Sequence, residues 1–109
     1  MNVTVTFRHM PTSETLRAHA EQRAAKFMKY LRDPIDIHLV LSIEKIRQIA
    51  ELNVQAKNFS SHALEESQDM YSSIDKVMGK MEEQLRRHKE RIKDHKSPLK
   101  AYEALEATL

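Results

Sequence analysis

Residues 35–57 constrain the fold more than any other stretch. "IDIHLVLSIEKI" (35–46) sets Ile35, Ile37, Leu39, Leu41 and Ile43 at every second position. "RQIAELNVQAK" (47–57) continues the pattern, with Ala50, Leu52, Val54 and Ala56 opposite Glu51, Asn53, Gln55 and Lys57. A period of two belongs to strands, whose side chains alternate between faces. Two successive strands with one apolar and one polar face predict an antiparallel sheet covered on one side. Such a sheet needs a second layer over its apolar face.

Segments on either side provide it. "NVTVTFR" (2–8) reads as a strand with Val3, Val5 and Phe7 on one face. Pro11 stops it, and Thr12 or Ser13 can cap a helix. Leu16, Ala20, Ala24, Phe27 and Leu31 then recur at helical spacing, to a stop at Asp33-Pro34. Lys57-Asn58 reads as a turn, and "FSSHALEE" (59–66) as a weaker strand of open register. Either Phe59 and Ala63 or His62 and Leu64 face inward.

A long helix follows, capped by Asp69 or Ser67. Met70, Ile74, Val77, Met81, Leu85, His88 and Ile92 form its stripe, with Tyr71 and Met78 at the edge. From Asp69 to His95 it spans about 40 Å. The fold class is α+β, ordered β-α-β-β-β-α, a four-stranded sheet with two helices packed on one face. At 109 residues one domain is expected, residues 1–96, closed by Ser97-Pro98 and followed by a flexible tail, 97–109.

Composition excludes several kinds of chemistry. Without cysteine there is no thiolate nucleophile, disulfide or cysteine metal site. Gly79 is the sole glycine, too few for a P-loop, a dinucleotide loop or a KH-type loop. The six histidines lack metal-binding spacing, so no metal and no cofactor is expected. Asp69 and Asp75 suit a helix N-terminus better than carboxylate catalysis. No apolar run approaches the ~20 residues of a membrane helix, and a cytoplasmic location is expected.

The net charge of +2 is mild, but its placement is informative. Wound at about 100° per residue, Lys76, Lys80, Arg87 and Arg91 fall in a band about 60° wide, opposite the apolar stripe. Arg86, Lys89 and Lys93 extend it around the flank, and the first helix adds Arg23, Lys26 and Lys29. Side by side, the two sets would form one cationic surface suited to phosphates. A solvated helix face laced with i,i+4 pairs has the same pattern.

"QDMYSSIDKVMGKMEEQLRRHKERIKDH" (68–95) resembles the last helix of the bacterial ribosome hibernation-promoting factors, or ribosome-associated translation inhibitors. Asp69-Met70-Tyr71-Ser72-Ser73-Ile74-Asp75 matches their signature, followed by Lys80, Gln84-Leu85 and Arg87-His88-Lys89. "LRAHAEQRAAKFMKYL" (16–31), with Arg17, is similar to the family's first helix, and "LSIEK" (41–45) to its second strand.

The resemblance implies a non-enzymatic protein of the short class, monomeric alone. Its implied partners are the small (30S) subunit, the 70S ribosome and 16S rRNA, with no membrane or small-molecule substrate. It would occupy the decoding channel and sterically exclude messenger and transfer RNA. Arg23, Lys26, Lys29, Lys80, Arg87, Lys89 and Arg91 are carried over as phosphate contacts; Lys76 and Arg86 join them from the helical band. Glu83 departs from the basic residue frequent in relatives, and is expected to weaken contact or pair with Lys80 or Arg87. The alternatives are a free-standing double-stranded-RNA-binding module, or a small enzyme or protein-binding adaptor.

Overall fold

Where apolar residues alternate, the computed structural model forms β1 (Asn2–Arg8), β2 (Asp36–Glu44), β3 (Arg47–Ala56) and β4 (Phe59–Ser67), adjacent in that order. Helix α1 (Glu14–Ala24) connects β1 to β2, and α2 (Met70–Thr108) follows β4. The structure describes residues 1–32 and 35–108, with side chains as far as residue 92. The Asp33-Pro34 stop and the Lys93 side chain lie outside the described residues.

The expected β-α-β-β-β-α order is present, as is the antiparallel pairing expected for residues 35–57; the direction of the first strand is a further finding. β2, β3 and β4 are antiparallel, but β1 runs parallel to β2. The intervening helix carries the chain back to the same end of the sheet, as a parallel pair requires. Val5, Leu39, Leu52 and Ala63 form one row across all four strands, and each is buried. This settles the open register of β4: Phe59 and Ala63 face inward, while His62 and Leu64 are exposed. The two-residue turn Lys57-Asn58, closed by Ala56 opposite Phe59, fixes that choice.

Both helices cover this face, α1 beside β1 and α2 over β3 and β4, around one continuous core. Ser13 caps α1, its hydroxyl accepting from the Leu16 amide at 3.3 Å. The helix does not remain α-helical to Leu31. It tightens after Ala24 into a 3₁₀ segment, Ala25–Lys29, a frequent device at helix ends. That turn drives Phe27 wholly into the core and leaves Lys26 and Lys29 in solvent.

Asp69 caps α2, its carboxylate accepting from the Ser72 amide at 3.0 Å. Ser67 supports the cap by accepting from the Asp69 amide at 3.2 Å. Met70, Ile74, Val77, Met81 and Leu85 are buried as their spacing predicts. Met78 is also buried, whereas Tyr71 and Ile92 are 41% and 44% exposed. At about 58 Å, the 39 residues of α2 outrun the nine of β4, about 30 Å long. The sheet therefore ends beneath His88, whose ring meets Phe59 at 4.9 Å. The helix also continues through Pro98 to Thr108 instead of stopping there. Pro98 removes one backbone donor, but the Ala, Leu, Glu and Lys around it are strong helix formers.

Gly79 is exposed in α2, and an added Cβ would meet only the Arg23 guanidinium, at 4.0 Å. Gly79→Ala is therefore expected to stabilise the fold by roughly 0.5–1 kcal/mol, by restricting the unfolded chain. Thermal denaturation would show a raised Tm; a lowered one would mean the helices need that space.

Candidate functional site

The cations on the helical layer divide by what they touch. Arg23 serves largely in packing. Its guanidinium donates to the Asp75 carbonyl at 3.3 Å, and Nε lies 3.5 Å from the Asp75 carboxylate, buried without a hydrogen-bond partner. His19 joins the same carboxylate at 2.7 Å and sets its ring edge-on to Tyr71. Asp75 thus clamps α1 to α2, beyond the N-terminal role its position suggests.

A second tie lies one 3₁₀ segment further on. Lys89 Nζ donates to the Lys29 carbonyl at 2.8 Å. Lys29 Nζ approaches Glu82 at 3.5 Å, and Glu82 accepts from the Tyr30 hydroxyl at 2.9 Å. Burial, then this hydrogen bond, raises the Tyr30 pKa above its ordinary value. These contacts bring Lys29 and Lys89 together, so the two helices do present cations side by side on this flank.

The opposite flank differs from the expected open band. Lys80 turns onto β4, its Nζ 3.2 Å from the Glu65 carboxylate. Register explains the contact, since Glu65 pairs with buried Ala50 and so emerges on the helix-covered face at the sheet's edge. Glu83 does pair with Arg87, Nε at 3.2 Å, but not with Lys80. Its stronger partner is Arg86, Nε at 3.0 Å, and Arg86 also reaches Glu90 at 2.6 Å. The Arg86 hydrogen bond, foremost among several causes, holds the Glu83 pKa below the ordinary carboxylate range.

What remains available for a polyanion is narrower than the set of cations the sequence suggests. Lys26, Lys76, Lys89 and Arg91 are exposed and enter no ion pair among the described residues. Lys29, Lys80, Arg86 and Arg87 each share a carboxylate. Sequence reasoning also misses an open groove of about 410 Å³ between the β3–β4 turn and α2, lined in part by Phe59, Arg87, His88 and Arg91. Its only signal is the weaker strand "FSSHALEE", whose register must be known first. Among the described residues, no group of three His, Asp or Glu could hold a metal. No helix among them is long and apolar enough to cross a membrane.

Other proteins are similar to this one in sequence and in fold. The ribosome hibernation promoting factor of Salmonella typhimurium is 32% identical over 95 residues, spanning 87% of this chain and 100% of that protein. The Klebsiella oxytoca protein of the same name is 30% identical with the same coverage. Among solved structures, the N-terminal domain of Thermus thermophilus Protein Y matches with a TM-score of 0.77 and 25% identity, covering 81% of this chain and 99% of that one. A ribosomal subunit interface protein from Coxiella burnetii matches with a TM-score of 0.71 and 30% identity, covering 82% and 98%. The family model described as Sigma 54 modulation protein / S30EA ribosomal protein matches residues 3–93, nearly the whole sheet, α1 and α2 as far as residue 93, and the chain belongs to that family.

Proposed function

We propose that this protein is a ribosome hibernation factor acting in the cytoplasm, without catalysis. It binds the 30S subunit and the 70S ribosome through 16S rRNA, and blocks the decoding channel against messenger and transfer RNA. The observation that carries this reading is the likeness to ribosome hibernation promoting factors across their full length. The site supports it, because Lys26, Lys76, Lys89 and Arg91 are held on packed helices and need little ordering before meeting phosphates. Lys29, Lys80, Arg86, Arg87 and, less directly, Arg23 add positive potential behind them.

Sedimentation through sucrose with 30S, 50S and 70S particles at low and high salt tests it. Co-sedimentation with 30S and 70S, abolished at high salt, is expected, since phosphate-driven affinity falls steeply with salt. A short RNA duplex bound as tightly as ribosomes would instead favour the double-stranded-RNA-binding module. We assign binding to residues 1–96, so a chain cut after Lys96 is expected to co-sediment as the full chain does. Loss of binding on truncation would make 97–109 part of the interface.

Glu83 tempers this surface. Glu83→Gln removes the charge that Arg86 and Arg87 share, and ribosome affinity is expected to rise by about threefold to tenfold, the scale of one phosphate contact. The depressed Glu83 pKa sets the pH behaviour. The carboxylate stays ionised through the neutral range, and its pairing is lost only as pH falls through that lowered value. The affinity ratio of variant to wild type should accordingly be flat near neutrality and approach one in acid. A ratio of one at neutral pH would exclude Glu83 from the interface.

A further inference from the structure

The groove beside the β3–β4 turn adds aromatic, amide and hydroxyl groups to two cations of the proposed ribosome-binding surface, Arg87 and Arg91. One wall is the turn, with Asn58, Phe59 and Ser60; the other is α2, with Arg87, His88 and Arg91. Its volume, about 410 Å³, falls in the range of roughly 300–1,000 Å³ typical of sites for small organic groups. Phe59 and His88 meet at 4.9 Å with their planes 59° apart, so they are tilted against one another and do not stack flat. Phe59 is half-buried, and thus anchored. A hydrogen bond from the Ser61 hydroxyl to Gln84 ties the two walls together.

Two arginines, one without an ion pair among the described residues, line the same groove as an aromatic pair and a short row of amide and hydroxyl groups. Phosphate alone needs no aromatic wall, and an apolar ligand needs no paired arginines. A nucleotide needs both, because its base stacks on rings or guanidinium planes while its phosphate takes the cations. The groove also lies at the end of the helical flank bearing Lys76, Lys80, Arg87 and Arg91, where a strand following those cations would arrive.

We propose that this groove receives one unpaired nucleotide of single-stranded RNA, stacked against Phe59 and His88 with its phosphate on Arg87 and Arg91. The proposal rests on the ribosome-binding reading for the source of the RNA. It adds that the protein captures an extruded base as well as tracking phosphates.

The test titrates the full chain with a single-stranded RNA hexanucleotide, a duplex of equal length, 5′-AMP and inorganic phosphate. The aromatic resonances of Phe59 and His88 are followed by NMR. Saturable shifts are expected with the single strand, at lower concentration than with the duplex, and none with phosphate. Phe59→Leu, which retains apolar bulk without the ring, should weaken the single strand about tenfold, the scale of one base–aromatic stack. Its duplex affinity and circular dichroism should be unchanged. Equal single-strand affinity of wild type and Phe59→Leu overturns the proposal, as do shifts reproduced by phosphate. Saturation by 5′-AMP as tight as by the strand assigns the groove to free nucleotides and overturns the RNA assignment. Ribosome co-sedimentation of the same preparations separates the two readings. Binding by wild type and Phe59→Leu alike, with no single-strand difference, removes the groove alone; absence of wild-type binding removes the hibernation reading.

Discussion

Replacing Lys26, Lys76, Lys89 and Arg91 together by glutamate is expected to abolish ribosome binding while leaving the fold in place. These four are exposed and in no ion pair among the described residues, so reversal breaks no salt bridge among them. Lys89 does give up its hydrogen bond to the Lys29 carbonyl, which lies at the surface. Log affinity varies with log salt by about 0.7–0.9 per phosphate contact, which makes each contact worth a factor of roughly 5–8 near 0.1 M salt. Four contacts then amount to on the order of a thousandfold, and the salt slope should flatten by roughly 3.

The choice of residues matters to the interpretation. Reversing Lys80 or Arg87 would also set two acids against each other, at Glu65 or Glu83, and so confound stability with binding. Reversing Arg23 would break the Asp75 clamp between the helices. Lys45, exposed in the β2–β3 turn and on neither helix, is the control, and its reversal should leave affinity within about twofold, since only long-range screened charge is involved. Circular dichroism monitors the fold, and co-sedimentation across a salt series gives the slope. Wild-type affinity in the quadruple variant would place the interface elsewhere on the molecule.

The elements are legible because each buries one face, and burial leaves a period in the sequence. Leu39, Leu52 and Val54 announce their strands, and Met81 and Leu85 their helix, without reference to one another. Facts that depend on two elements at once leave no such mark. The parallel pairing of β1 comes from the crossover, and alternation in Val3, Val5 and Phe7 is the same for either direction. Helical angle alone sends Lys80 to an open face, because it does not reveal that Glu65 emerges beside it. Glu83 with Arg87 is readable from i,i+4 spacing. The closer Arg86 pairing at i,i+3 is equally local, but counting Arg86 as a phosphate contact hides it. The Asp75 clamp reaches His19, 56 positions away, and nothing in either segment alone signals it.

Phe27→Ala is expected to cause the largest loss of stability, and it links the core to the binding face. Phe27 is fully buried although it lies in a five-residue 3₁₀ segment that exposes Lys26, Met28 and Lys29 around it. Its ring is what fastens that segment to the core, since short 3₁₀ turns have poor hydrogen-bond geometry of their own. Truncating a buried phenylalanine costs about 3–5 kcal/mol, from forfeited transfer energy and the cavity left behind. Against a typical domain stability of about 5–15 kcal/mol, much of the margin disappears. Urea unfolding should show a lower midpoint at unchanged slope. Phe27→Leu fills most of the volume and should lose far less, about 1 kcal/mol. The leucine variant therefore separates anchoring from stability: with the segment still fastened, ribosome affinity should stay near wild type. The alanine variant, compared below its unfolding midpoint, should bind more weakly, because Lys26 and Lys29 must be ordered again at the moment of contact. A loss below about 1 kcal/mol for Phe27→Ala would mean that the segment is held by the Lys89 and Tyr30 contacts at its end and not by its ring.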